Sequence, residues 1–350
     1  YRIEREYDQY ESVQSWQMSL KDNPGLWAVT AQRKAIDKEA KTVSFIQTLA
    51  NGHQEDVILD AQTGLTRELG FEVETAQDLI ASWLTLINYD AQGIEKSRGI
   101  YVDKNRDGKI DFIEKKLWVF LSEKESLDSV NQLAVNRYHK ADGTQGRMSI
   151  NVQLGREISG TVEGIDMGNG LFEKFGYEIF LSDDLRETGR TTINSLGEIM
   201  IRAEEDEFDF STQQSLVRYL SAWGEEGIAD IDTQSALIRG YDFEDIEVAP
   251  GIRDSRRVSI NYTERGIFKD ASTYSQSLNK DIFTTRAISD DGLRQEVFDH
   301  TKGDAKSEHI YNTIGRLRFD ENKFRQTENR YDNRGLLKDG VSKDIITKET

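Results

Sequence analysis

The 350-residue chain carries 63 Asp and Glu against 45 Lys and Arg, a formal charge of -18, which works against nucleic-acid backbones and anionic membrane surfaces in a sequence with no basic patch. The absence of cysteine excludes disulfides, thiolate metal sites and cysteine nucleophiles. The uncharged stretch from Leu79 to Tyr89 falls far short of the roughly 20 apolar residues of a spanning helix, so membrane insertion is not expected.

The sequence opens at Tyr1 without an initiator Met or a basic-then-apolar leader, and is expected to be a processed product or a piece of something larger. Two prolines and 27 glycines leave the turns to Gly and Asx chemistry. In chain order, a helix is predicted over 75–87. There Leu79, Ile80, Trp83, Leu84 and Ile87 share one helical face, and Thr75 with Asp78 makes a capping box. Short runs rich in β-branched and aromatic residues predict strands at 148–152, 177–181 and 199–201. A second helix is predicted over 212–223, from Leu216, Tyr219, Leu220 and Trp223, with Ser211 ahead and Gly224 just past the end. A further strand is predicted at 257–262.

The expected fold is mainly β: repeated antiparallel hairpins forming an extended or shell-like sheet, with helices inserted at 75–87 and 212–223. Three segments are expected: 1–92 with one helix, 93–150 around an acidic loop, and 151–350 as hairpin repeats with the other helix.

That acidic loop is the strongest chemical motif. Asp103, Asn105 and Asp107, then Gly108, Lys109, Asp111 and Glu114, match the twelve-residue EF-hand pattern. Ca²⁺ is a hard cation that gathers six to eight oxygens. Asp103, Asn105 and Asp107 can converge on one centre, Lys109 would offer its carbonyl, Asp111 would act directly or through water, and Glu114 could close the shell. Ile110 would turn into the core. Residues 90–102 contain Gly93 and Gly99 and show no helical stripe, so a strand is expected to enter the loop. Beyond it, Phe112, Ile113, Leu117, Trp118, Phe120 and Leu121 fit helix or strand. The loop also resembles the calcium turns of FG-GAP or VCBS propeller repeats, in which Glu114 need not be a ligand. A metal-free Asp-Gly hairpin turn is the third reading. Residues 142–146 and 166–170 hold too few spaced oxygens for a second site.

A regularity appears when the turns are aligned. A large apolar residue, Asx (Ser at 289, Thr at 263), two variable residues, Gly and a second large residue recur at 331–336, 311–317, 288–293 and 262–267, with related turns at 193–199, 165–171, 89–94 and 59–65. Asx favours the turn, Gly accepts positive φ, and the flanking residues pair across two strands. A lone hairpin is marginal in water, so a series must stack edge to edge.

These residues resemble the YD-repeat (Rhs) family of bacterial proteins. The resemblance rests on Ala50-Asn51-Gly52-His53, on Leu59-Asp60-Ala61-Gln62-Thr63-Gly64-Leu65-Thr66-Arg67, on Tyr89-Asp90-Ala91-Gln92-Gly93, on the turns at Tyr311 and Tyr331, and more weakly on Tyr7-Asp8. Several units replace Tyr-Asp by Ile-Ser, Ile-Asn or Leu-Asp. The resemblance implies a secreted or cell-surface β-rich shell segment, like those enclosing toxin domains in Rhs and Tc toxins. Its partners would be other protein chains or missing flanking segments, with no nucleic acid and no membrane insertion.

No catalytic motif is found. His53, His139, His300 and His309 have no zinc-protease spacing, and phosphate loop, dinucleotide fingerprint and nucleophile elbow are all absent. The acidic run 204–209 reads as a solvated face. The leading expectation is a calcium-binding structural segment of a large exported protein. The alternatives are a calcium-dependent adhesion module, whose sign would be an exposed aromatic patch beside the loop, and a hydrolase using a carboxylate pair in a cleft.

Overall fold

The computed structural model describes residues 2–9, 13–20, 23–49, 54–76, 79–168, 171–181, 187–209, 214–222, 226–233, 235–249, 252–287, 294–299, 305–311, 317–322, 325–331 and 337–344. Strands fill most of them. The first group is β1 (Arg2–Tyr7), β2 (Val13–Leu20), β3 (Asn23–Asp37), β4 (Thr42–Leu49), β5 (Gln54–Asp60), β6 (Thr66–Ala76), β7 (Leu79–Tyr89) and β8 (Glu95–Val102). A 3₁₀ turn, Glu114–Lys116, precedes β9 (Trp118–Asp128), β10 (Leu133–Lys140), β11 (Gln145–Asn151), β12 (Arg156–Gly168), β13 (Leu171–Leu181) and β14 (Glu187–Ile193). Next come β15 (Ile199–Asp209), β16 (Gln214–Ser221), β17 (Glu226–Asp232), β18 (Ile238–Ala249), β19 (Ile252–Tyr262) and β20 (Phe268–Ser275). The last are β21 (Lys280–Ala287), β22 (Arg294–Asp299), β23 (Ala305–Tyr311), β24 (Leu317–Asn322), β25 (Arg325–Tyr331) and β26 (Leu337–Asp344).

Each strand pairs antiparallel with the next in the chain, so the sheet is one uninterrupted meander. The expected hairpin sheet is therefore present. It runs without a break through residues 92–93 and 150–151.

The turns explain the order. Asp60 Oδ1 accepts the N–H groups of Gln62 and Thr63, Asp90 Oδ1 those of Gln92 and Ile94, and Asn194 Oδ1 those of Leu196 and Glu198. The backbone N–H groups of Thr63 and Gln62, with the Arg67 guanidinium, hold the Asp60 carboxyl down at about 2. A residue three or four places on takes positive φ: Gly64, Gly93, Gly197 and Gly266 do so, and Lys41, Gln132, Ala236 and Asn279 do so with a side chain. The tyrosine before the turn has its own bond. Tyr89 Oη donates to Thr66 O at 2.9 Å, and Tyr262 Oη to Ile238 O at 2.6 Å, each capping the first carbonyl of the preceding strand.

The predicted helices are overturned. Residues 75–87 span the end of β6 and most of β7, and 212–223 span β16. Ala81, Trp83 and Thr85 are buried at alternate positions, a period of two to which buried Leu84 is the one exception within β7. Thr75, read as a cap, is buried and donates its hydroxyl to Leu79 O across the hairpin at 3.3 Å. Leu216, Val217, Tyr219 and Leu220 are equally compatible with a strand, and pairing on both sides decides the matter. The turn residues at 50–53, 169–170, 288–293, 312–316 and 332–336 lie outside the described residues, but the strands flanking the last three pair as hairpins.

The ribbon also coils on itself. β6 touches β19 and β12 touches β25, and 19 − 6 equals 25 − 12, so contact returns after thirteen strands. Between these layers Phe71, Val73, Ala81, Trp83 and Val102 form a core onto which Leu237, from the β17–β18 turn, packs. Trp83 Nε1 donates to Glu264 O at 2.8 Å, and a Cβ on Gly266 would lie 3.1 Å from the Trp83 ring, so the β19–β20 turn needs glycine there. Arg239 links Glu74 to Asp232. Arg265 Nε donates to Trp118 O at 3.0 Å, with its guanidinium 5.3 Å from the Trp118 ring. The seam thus sets turns of one ribbon edge against the strand ends of the other.

Two outcomes test this description. Gly197 has φ +81 and nothing within 4 Å of a built Cβ, so Gly197→Ala strains only the backbone and should cost about 1 kcal/mol, while Ala236→Gly should gain about 0.5 to 1 kcal/mol, both read from denaturant melts. Burial pushes the Glu55 carboxyl up to about 7, whereas the unfolded group titrates near 4.5. The folded state then keeps a proton the unfolded state has lost, so stability falls as pH rises from 4.5 to 7, on the order of 2 to 3 kcal/mol from this residue. Glu55→Gln should remove that slope in melts across this range.

Candidate metal centre

The loop joins β8 to β9, so a strand enters as expected and, after the 3₁₀ turn, a strand leaves. The two helices of an EF-hand are not present around it. Every expected ligand residue has a defined place in the loop's hydrogen bonding. Asp103 Oδ2 accepts Gly108 N–H at 2.9 Å, Asn105 Oδ1 accepts Asp107 N–H at 3.1 Å, and Asp107 Oδ1 accepts Lys109 N–H at 2.9 Å. Asp111 Oδ1 accepts the N–H groups of Ile113 and Glu114 at 2.7 and 2.8 Å. Gly108 takes φ +72 where the loop reverses, and Arg106 takes φ 56. Arg106 turns outward, its Nη2 donating to Ile80 O at 3.0 Å. Ile110 is half-buried.

Glu114 is 3 % exposed and fully engaged. Its Oε1 accepts Lys104 N–H at 2.8 Å and Asn105 N–H at 3.3 Å, and its Oε2 accepts Asp111 N–H at 3.0 Å. Glu114 therefore acts as an anionic plug that ties the loop's two arms together. Asp103 differs: it is 5 % exposed, and its Oδ1 is sealed from solvent with no hydrogen-bond partner. A buried, unpaired carboxylate oxygen is costly unless a cation meets it.

Among the described residues no three Asp, Glu or His groups converge closely enough to hold a metal by themselves. An ion here would rely on the Asn105 amide oxygen and the Lys109 carbonyl beside Asp103 and Asp107, a donor set suited to Ca²⁺. The donor chemistry and the orphaned Asp103 oxygen fit such an ion. Beside the loop Phe112 and Ile113 are exposed, with Lys116 Nζ 5.0 Å from the Phe112 ring. Elsewhere a cavity of about 350 Å³ between β1 and β5 offers Glu6 as its one carboxylate, where a hydrolytic pair needs two. Among the described residues no helix is long and apolar enough to cross a membrane.

The fold and loop define a single-meander, wound β-sheet protein with a strand-loop-strand acidic site. No family model matches the chain, and no curated protein matches it. Its backbone is similar to the Photorhabdus luminescens Tc holotoxin pore structure at 11 % identity and TM-score 0.20, over 94 % of this chain and 21 % of that one. It is similar to a TcdB2-TccC3 structure at 11 % identity and TM-score 0.22, over 95 % and 20 %. The same complex without its hypervariable C-terminal region gives 9 % identity and TM-score 0.19, over 98 % and 21 %. The chain spans about a fifth of the length of each of these structures.

Removing the plug should loosen the loop without any metal. Glu114→Ala takes the acceptor from three backbone N–H groups and should cost about 2 to 3 kcal/mol in chelator-containing buffer. Faster amide exchange at Lys104, Asn105 and Asp111 should accompany the loss.

Proposed function

We propose that the chain is a structural wall segment of a larger exported assembly of the YD-repeat type, and that calcium braces its 103–114 loop. The observation that carries the wall reading is the return of contact after thirteen strands: the ribbon curls instead of lying flat. The Asx turns with positive-φ partners, and the Tyr89 and Tyr262 hydroxyl caps, give the repeated unit a physical basis. In that setting β1 and β26 would abut flanking wall or other protein chains at the cell surface or outside the cell.

The calcium reading is supported by the unpartnered, buried Asp103 Oδ1. Asp103, Asn105, Asp107, the Lys109 carbonyl and Asp111 would hold the ion. Glu114, committed to backbone N–H groups, would sit behind them, as in the strand-loop-strand version of the motif. One exposed ring, Phe112, with Ile113 beside it, is less than the patch an adhesion surface needs, so the wall reading is preferred.

Two measurements test the proposal. Twenty-six strands laid flat would span roughly 125 Å at about 4.8 Å per strand, so solution scattering should give a maximum dimension well below that. A value near the flat length would end the wall reading. Calorimetry should show calcium binding to the parent protein, with Asp103→Ala, Asp107→Ala silent and Glu114→Gln close to the parent. At free calcium 100 times Kd the parent should gain about 2.7 kcal/mol.

A further inference from the structure

We infer that calcium in the 103–111 loop and the stacking of successive ribbon turns form one coupled equilibrium, the ion acting as a clamp on the seam. The inference rests on the calcium reading above and adds what the ion does.

The loop is anchored at both ends. Asp103, the first ligand residue, donates its backbone N–H to Ser82 O at 2.8 Å. The next residue, Trp83, donates its indole N–H to Glu264 O in the opposing turn. At the other end, Val102 N–H bonds Leu117 O at 3.0 Å, closing the loop's neck. The residue after Leu117 is Trp118, whose carbonyl and ring both receive Arg265. Each anchor of the loop is thus one residue from a side chain that grips the neighbouring ribbon turn. Trp83 and Trp118 meet consecutive residues, Glu264 and Arg265, so a shift of either anchor moves one side of the same clasp.

The energetics favour coupling. Asp103 Oδ1 is buried without a partner, and a vacant loop relieves that cost by turning the carboxylate toward water. Asp103 cannot turn freely while its N–H is held to Ser82 and its Oδ2 to Gly108. Relief therefore tugs on β7 next to Trp83. A bound cation removes the need, and by linkage a closed seam must tighten the ion by the same factor that the ion tightens the seam. Separation along the sequence does not weaken this, because Trp83 and Glu264 are 181 positions apart yet their atoms touch.

The test uses the full chain, which has no cysteine of its own. Glu74→Cys with Arg239→Cys places two thiols across the seam, and a short bismaleimide reports closure by cross-linking rate. Arg202→Cys with Leu220→Cys, facing each other within one hairpin, is the control for folding and reagent. Saturating calcium should speed seam cross-linking about tenfold over chelator and leave the control unchanged. Asp103→Asn keeps an oxygen for Gly108 N–H, so it should fold, and it should lose both the calorimetric heat and the calcium effect. The cross-linked protein should in turn bind calcium about tenfold more tightly. Calcium heat with equal seam rates overturns the clamp and leaves the site standing. Absence of heat overturns the site and the clamp together. Failure of the seam pair to cross-link in either buffer, while the control reacts, overturns the seam itself.

Discussion

The described turns of this structure depend repeatedly on a side-chain oxygen that accepts one or two backbone N–H groups at the start of a turn, followed by a residue at positive φ. Asp60, Asp90 and Asn194 show the arrangement with glycine in the second role. Because such a turn reverses the chain within three or four residues, the next strand has no choice but to lie beside the last. Repeated along the described strands, this produces a meander without a crossover, built from pairings between consecutive strands. Strand twist then accumulates in one hand, and a long ribbon of uniform twist must curl.

Curling creates a second requirement that local chemistry does not meet. When one ribbon edge comes to rest on another, turn carbonyls lose water and need donors. The seam supplies them from side chains: the Trp83 indole for Glu264 O and the Arg265 guanidinium for Trp118 O. The same residues bring apolar area, with Phe71 and Trp83 meeting edge to face at 6.0 Å and Leu237 closing the cluster. Hydrogen bonding and burial are therefore coupled at the seam, and neither can be lost alone.

This division sets what could be read from the sequence. Turns pairing Asx, or Thr at 263, with Gly were legible, including 59–65, 89–94, 193–199 and 262–267, because their chemistry is complete within a few residues. Turns at Lys41, Gln132, Ala236 and Asn279 were missed, since a non-glycine residue at positive φ leaves no sign in composition. Three of them carried a clue, the Asp at 37, 128 or 232 four residues ahead, while Asn279 follows Ser275. The helices at 75–87 and 212–223 failed for a related reason. Apolar residues at 79, 80, 83, 84 and 87 satisfy a 3.6 period, but buried Ala81 and Thr85 belong to a period of two that counts of large residues overlook. The loop's turn chemistry was legible residue by residue, since Asp103, Asn105, Asp107 and Asp111 each accept a backbone N–H within it. Glu114 was not, because its commitment to three N–H groups depends on a fold of the loop that the pattern alone leaves open.

The seam was beyond reach of the sequence, and it is what gives the loop its position. Were each interior hairpin to touch only its neighbours along the ribbon, opening one would cost little more than two pairings and a turn. Contact after thirteen strands changes that accounting, because freeing β6 to β9 also exposes the apolar cluster beneath Leu237 and strips donors from Glu264 and Trp118. A loop inserted at the neck between Val102 and Leu117 sits where this added cooperativity is concentrated. Elsewhere in the meander an insertion of that length would flank ordinary hairpins and influence two strands. At this neck it adjoins both tryptophans of the seam, so its internal order bears on whether the ribbon stays wound.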